Sequence, residues 1–169
     1  MRALVIRRGH IADFEPLLQL FESVAAERLW IGTEPGFDRD LYRERWLHNL
    51  ADSNRPLFVA CDGERIVGML SVNEHEAYGP TLGMLVDAPY RGQRVGAALL
   101  DACIRWATER GLPAIHLLVF PHNTRARALY QRKGFVEVER FERDVTRDDG
   151  QIWDTILMSL HLREDRASL

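Results

Sequence analysis

Apolar residues recur along this chain with two different spacings. Alternating or continuous apolar runs bounded by turn residues predict seven strands, at about 3–7, 56–61, 65–72, 81–86, 115–120, 136–145 and 152–160. Apolar stripes at helical spacing predict four helices, at about 14–25, 39–51, 93–110 and 123–132. The resulting order, βααβββαβαββ, is typical of a mixed α/β domain. With 169 residues and no linker-like segment, we expect a single domain over residues 1–169.

Composition narrows the class of protein. Apolar residues make up 46% of the chain, which is enough to bury a core. No apolar run reaches the roughly 18 residues that a membrane helix needs, and the N-terminus lacks the apolar segment of a signal peptide, so we expect a soluble, cytoplasmic protein. The net charge of -3 argues against a general binder of nucleic acid or anionic membranes. Cys61 and Cys103 show no metal-ligand spacing and are expected to be reduced core thiols.

The junction between the fourth strand and the third helix carries the first chemical signal. Pro89 ends the strand, and Gly92 and Gly96 flank the start of the helix. Glycine lets the backbone approach a ligand closely, and the free N–H groups of a helix start favour an anion such as a pyrophosphate. Arg91 and Arg94 add positive charge. The alternative interpretation is an ordinary strand–turn–helix junction, because short glycine motifs alone are weak signals.

The segment VDAPYRGQRVGAALL at this junction resembles the acetyl-CoA-binding motif [Q/R]-x-x-G-x-[G/A] of GNAT acetyltransferases. The matching residues are Arg91, Gly92, Gln93, Arg94, Val95 and Gly96. Arg94 stands where the family motif has a glycine. Any residue except proline offers a backbone N–H, so we expect pyrophosphate binding to persist.

A second segment, HLLVFPHNTRARALYQRKGF, is similar to the family's other signature. The matching residues are Leu117, Val119, Asn123, Ala126, Leu129, Tyr130, Gly134 and Phe135. With both signatures present in order, the chain is identified as a member of the GNAT superfamily. The resemblance implies a mixed central sheet of about seven strands with helices on both faces, in which the fourth and fifth strands splay apart.

The resemblance also implies a site for acetyl-CoA as co-substrate. The residues implied to bind it are Leu85, Val86, Arg91, Gly92, Gln93, Arg94, Val95, Gly96, Asn123, Arg127 and Tyr130. In such enzymes the Asn123 amide would contact the pantetheine arm, the Val86 N–H would stabilise the oxyanion, and the Tyr130 hydroxyl would face the sulfur. A phenol with a pKa near 10 can donate a proton or hydrogen bond to a leaving thiolate. Alternatively, Tyr130 is a core aromatic residue and Asn123 only a helix N-cap.

The base and the acceptor pocket carry weaker signals. Many relatives have a glutamate on the strand before the phosphate turn, but here that strand reads TLGMLV and has no acid. Glu74 and Glu76 are therefore tentative bases, and a solvated loop or a water chain is the alternative. Trp30, Glu34 and Phe37 are candidates for an amine pocket, in which Glu34 would face an ammonium group; simple anchoring of their loop is the alternative.

These observations predict an N-acetyltransferase that moves an acetyl group from acetyl-CoA to a primary amine of a small amine or amino acid. No cysteine falls in either motif, which favours direct attack in a ternary complex with Tyr130 as general acid. A protein amine as acceptor, or a non-catalytic acyl-CoA-binding module, are the alternatives. We expect no metal, no nucleic-acid or membrane partner, and a monomer or homodimer.

Overall fold

The computed structural model describes residues 4–162 and contains seven strands and four helices. The strands are β1 (Val5–Arg8), β2 (Leu57–Asp62), β3 (Arg65–His75), β4 (Gly79–Val86), β5 (Ala114–Val119), β6 (Val136–Thr146) and β7 (Ile152–His161). The helices are α1 (Phe14–Ala26), α2 (Arg39–Ala51), α3 (Val95–Glu109) and α4 (Thr124–Arg132). The predicted element order is confirmed. None of the four helices combines the length and hydropathy that crossing a membrane requires.

One sheet holds all seven strands in the order β1-β2-β3-β4-β5-β7-β6. Every neighbouring pair is antiparallel except β4 and β5, which run parallel. Only two residue pairs join β4 to β5, Thr81 with His116 and Leu82 with Leu117. Both strands continue past Leu82 and Leu117 without further pairing to each other, which confirms the predicted splay.

A separate apolar core covers each face of the sheet, because successive side chains of a strand point to opposite faces. On one face, α3 and α4 pack on side chains that include Val67, Leu70, Leu117 and Met158. On the other face, α1 and α2 bury a second set, which includes Val59, Met69 and Leu85. The prediction of helices on both faces is confirmed. Cys61 and Cys103 are free and buried, as expected of core thiols.

The β3–β4 hairpin is longer than its sequence predicts. The polar run from Asn73 to Pro80 was expected to be a break, but β3 extends to His75 and β4 begins at Gly79. Glu74 therefore lies in a strand, opposite Pro80, rather than in a loop. Polar side chains are tolerated here because Glu74 and His75, at the end of β3, are exposed to solvent.

Candidate active site

The opening between β4 and β5 exposes backbone groups of β4. Asp87 donates its N–H to the Val67 carbonyl at 2.9 Å, one step beyond the pair Gly68 and Val86 of the β3–β4 register. Backbone groups alternate in direction along a strand. Leu85 therefore bonds toward β3, whereas Met84 and Val86 face the side from which β5 has diverged. The sequence interpretation named Leu85 and Val86 as backbone partners of the cofactor; the register puts Met84 in the place of Leu85.

The turn after β4 has a left-handed backbone at two positions. Gly92 has φ +81° and Arg94 has φ +65°. Arg94 is the N-cap of α3, and no side chain caps the helix there. The first N–H groups of α3 thus follow an exposed turn and have no side-chain acceptor among residues 4–162, as an anion site requires. The positive φ also explains why the family motif has glycine where this chain has Arg94, since glycine adopts that conformation at no steric cost.

Arg91 is committed to other protein groups. Its guanidinium makes two bonds to the Glu27 carboxylate, at 2.6 and 2.7 Å, and its Nε donates to the Val86 carbonyl at 2.9 Å. The Trp30 indole donates to the same carboxylate at 2.7 Å. Hydrogen bonds from Arg91 lower the pKa of Glu27, so the acid is ionised at neutral pH. This clamp joins the end of α1 to the end of β4, and nothing in the sequence spacing pointed to Glu27.

Two other arginines supply the uncommitted positive charge at the turn. Arg94 and Arg125 are exposed, and their guanidinium groups make no hydrogen bond or ion pair with any residue in 4–162. The Arg125 guanidinium lies directly against the Cα of Gly92, where a side chain would meet it. Arg125 lies on α4, 33 positions after Gly92, and the fold brings it to the turn that follows β4.

The remaining turn residues serve packing. The Gln93 amide donates to the Pro89 carbonyl at 2.6 Å, and Val95 is buried in the core. A Cβ at Gly96 would lie 3.2 Å from Leu129 Cδ2 and 3.3 Å from Met84 Cε. Glycine therefore lets the start of α3 approach both α4 and β4, and the two sequence signatures meet at this contact.

Tyr130 lies on α4 and is only 6% exposed. Its ring packs against Phe135 with centroids 5.8 Å apart, and its hydroxyl makes no hydrogen bond within the described part of the chain. Burial raises the pKa of Tyr130 to about 12, because desolvation disfavours the phenolate. The group is therefore a neutral donor throughout the physiological range.

The two other polar candidates on α4 have structural partners. Asn123 is the N-cap of the helix, and its Oδ1 accepts from the Ala126 N–H at 3.3 Å. Its amide nitrogen keeps both protons for another acceptor. Arg127 bonds Glu137 at 2.6 and 3.0 Å and the Pro121 carbonyl at 3.0 Å. Arg127 thus holds the loop before α4 to β6, and its guanidinium is occupied.

A cleft of about 460 Å³ opens between the sheet, the α1–α2 loop and α2. Its lining includes the α2 residues Tyr42, Arg45 and Trp46, the loop residue Thr33, the β3 residues Met69, Ser71, Asn73, Glu74 and His75, β4 from Thr81 to Leu85, and Leu118. It therefore reaches across the gap between β4 and β5. Sequence reasoning missed Tyr42, Arg45, Ser71 and Asn73, because no local pattern distinguishes them from ordinary strand and helix residues.

The three predicted acceptor residues lie outside that lining. Glu34 is paired with Arg147 at 2.8 Å and with Arg28 at 3.3 Å, so its charge is already balanced. Phe37 packs against Phe21 and Tyr42, at 5.2 and 4.7 Å between centroids. Trp30 is held by Glu27, as described above. All three anchor the α1–α2 loop, which was the alternative interpretation.

The two glutamates that are candidate bases lie far from the end of β4 that faces the opening toward β5. Glu74 lies opposite Pro80, and six residues separate Pro80 from Val86, or about 20 Å of strand at the usual rise. Glu74 and His75 line the far end of the cleft, whereas Glu76 is exposed in the hairpin turn and does not line it. Direct proton transfer from an amine near Val86 to either glutamate does not fit this separation.

Comparison with known proteins gives consistent matches. The model of the acetyltransferase (GNAT) family matches residues 18–135. The Bacillus subtilis (strain 168) protein YwnH, provisionally named a phosphinothricin acetyltransferase, is 27% identical over 166 residues, which cover 94% of this chain and 99% of that protein. An L-methionine sulfoximine/L-methionine sulfone acetyltransferase of Pseudomonas aeruginosa is 25% identical over 96% of this chain and 97% of its own length. The structure of yncA from Salmonella typhimurium, described with its cofactor acetyl-CoA, superposes with a TM-score of 0.85 at 18% identity over 99% of this chain and 98% of its own.

Proposed function

The chain belongs to the GNAT acetyltransferase family, and on that premise we propose that it transfers the acetyl group of acetyl-CoA to the primary amine of a small molecule, by direct attack in a ternary complex. Family membership makes it an acyl-CoA N-acyltransferase with acetyl-CoA as co-substrate. The observation that carries the finer proposal is the two-pair contact between β4 and β5, which opens a gap flanked by a helix start and by the cleft.

In this proposal the gap holds the pantetheine arm. Met84 and Val86 offer the backbone groups that would bond it like an added strand. The start of α3 would bind the pyrophosphate, aided by the uncommitted charges of Arg94 and Arg125. Asn123 would donate its amide protons to the arm while its oxygen caps α4. In this proposal Arg91 and Arg127 do not contact phosphate, because their guanidinium groups are bonded to Glu27 and Glu137 and hold the neighbouring segments in place.

The proposed chemistry conserves protons at each step. The amine nitrogen attacks the thioester carbon and gives up a proton, while the Val86 N–H stabilises the oxyanion. The C–S bond then breaks, and the thiolate leaves with the electron pair. A thiol has a pKa of roughly 8.5, so full proton transfer from a phenol at about 12 is uphill by roughly 3.5 pKa units, or about 5 kcal/mol. Tyr130 therefore acts as a hydrogen-bond donor to the thiolate rather than as the general acid expected from the sequence, and the thiolate takes its proton from the solvent.

The size and lining of the cleft support a small acceptor. A volume of about 460 Å³ lies in the usual range for small-molecule sites. Both relatives described above are named for small molecules. Because Glu74 is about 20 Å from Val86 along the strand, ordered water in the cleft would carry the amine proton outward, past the Ser71 and Asn73 side chains. A single cytoplasmic domain, acting as a monomer or homodimer, completes the proposal.

Thiol release from acetyl-CoA with a panel of primary amines tests this function. We expect at least one small amine or amino acid to release thiol well above the rate of acetyl-CoA alone, with the acetyl group recovered on its nitrogen by mass spectrometry. Turnover confined to peptides would favour a protein acceptor instead. Tight acetyl-CoA binding with no turnover of any amine or peptide would favour a non-catalytic binding module.

A further inference from the structure

Arg45 is an unpaired cation on the wall of the acceptor cleft. It lies on α2 and is exposed, and its guanidinium makes no hydrogen bond or ion pair with any described residue. Two neighbours on the same helix behave differently, because Arg39 and Arg43 both bond Glu15 on α1. The absence of a partner is thus particular to the arginine that faces the cleft.

The helix face that carries Arg45 is fixed by its neighbour one turn later. Asn49 is 2% exposed and donates to the Asn73 side chain at 2.8 Å. Asn73 lines the cleft, with Ser71 beside it. Residues four apart share a helix face, so Arg45 is directed toward the same wall. Arg45, Asn73 and Ser71 therefore form a polar part of the cleft wall.

The other titratable groups of the lining do not balance this charge. Glu74 lies at the far end of β3 and makes no ion pair with Arg45. His75 accepts from the Ala77 N–H and stacks on Tyr78, so its ring is held within the hairpin. The rest of the lining is largely apolar, and includes Phe21, Trp46, Met69 and Leu118. A guanidinium over an apolar floor attracts an oxyanion, which it can bind through two parallel N–H bonds.

We propose that the acceptor carries an oxyanionic group as well as its amine, and that Arg45 binds that group. A carboxylate, a phosphinate or a sulfonate has the required geometry. The inference rests on the proposed function, because it concerns the amine that occupies the same cleft. Arg45 is then the residue that distinguishes acidic amines from neutral ones.

The test compares matched acceptors and matched variants. The probes are L-methionine sulfone and L-leucine, each beside its own primary carboxamide, with acetyl-CoA as donor. In the wild type we expect the free acids to be preferred in kcat/KM. In Arg45→Gln, kcat/KM for the acids falls about 10- to 100-fold, mainly through KM, as loss of a charged hydrogen bond predicts. The carboxamides change little, and Arg45→Lys restores part of the loss. Comparing each substrate across variants cancels the difference in amine pKa between acid and amide.

Arg43→Gln, two positions earlier and outside the cleft lining, is the control and keeps the wild-type preference. Equal use of acids and carboxamides by the wild type, or a preference that survives Arg45→Gln, overturns the inference and leaves the proposed function standing. If none of these amines and no member of the wider panel releases thiol, the proposed function fails and this inference falls with it. An unchanged Kd for acetyl-CoA in Arg45→Gln verifies that the variant is folded.

Discussion

Replacing Tyr130 with phenylalanine removes one hydroxyl from a buried ring and changes nothing else in its packing. The ring is 6% exposed and contacts Phe135, and these contacts persist in the variant. The hydroxyl makes no hydrogen bond to a described residue, so its loss leaves no partner unsatisfied. We therefore expect the free energy of unfolding to change by less than about 1 kcal/mol.

The expected effect on the rate follows from the proposed role of the hydroxyl as a hydrogen-bond donor to the leaving thiolate. A hydrogen bond to a charged group contributes about 1.5 to 3 kcal/mol, so kcat should fall roughly 10- to 150-fold. The charge on sulfur develops only as the C–S bond breaks, so the Kd for acetyl-CoA should stay within a few-fold of the wild type. Because burial raises the pKa of Tyr130 to about 12, the wild-type rate should show no loss from ionisation of this phenol up to about pH 10.

Thiol release across pH and calorimetric titration of acetyl-CoA measure these quantities, with Tyr90→Phe as the control. Tyr90 lies beside the phosphate turn and donates its hydroxyl to Asp62 at 3.0 Å, so its removal costs a surface contact but no catalytic one. Equal losses in the two variants, or a Tyr130→Phe defect found only in binding, would refute the thiolate role. A decrease in the wild-type rate above about pH 9 that is absent in Tyr130→Phe would contradict the raised pKa of Tyr130.

Two further substitutions test the turn that follows β4. Glu27→Gln should lower the free energy of unfolding by about 1 to 2 kcal/mol at pH 7, since it breaks a partly exposed bidentate pair with Arg91. In a double-mutant cycle with Arg91→Gln, the two losses should not add. The hydrogen bonds from Arg91 lower the pKa of Glu27 below its ordinary 4.5. The stability contributed by the ion pair is therefore complete above pH 4.5 and is lost as the pH falls through the lowered pKa. In denaturant titrations at such acidic pH, the effect of Glu27→Gln should shrink. Arg94→Gly should raise the free energy of unfolding by up to about 1 kcal/mol, because glycine adopts the positive φ without strain, whereas Arg94→Ala should not raise it. Both variants should weaken the salt dependence of acetyl-CoA binding, measured by calorimetry. Equal stability of the two variants would contradict the backbone argument.

Most of the fold could be read from local patterns. The bounds of α2 agree with the prediction, and the order of all eleven elements is confirmed. Helix and strand periodicities are properties of neighbouring residues, so they survive in a single sequence. The β3–β4 hairpin was shortened in the prediction because Glu74 and His75 look like loop residues, whereas their backbone groups are paired with β4.

The sequence by itself determined the family, the donor and the two contiguous segments that carry the site, because a helix start and a helix-borne phenol are each encoded within a few residues. Only the tertiary structure decided which charges are free. Glu27 and Arg91 are 64 positions apart, and their pairing engages the guanidinium that the sequence motif assigns to the cofactor. Glu34 is paired with Arg147 and lies outside the lining of the cleft, whereas Arg45 lines the cleft and its guanidinium has no partner among residues 4–162. A side chain's partners depend on distances between elements that meet only after folding, and no spacing along the chain records them.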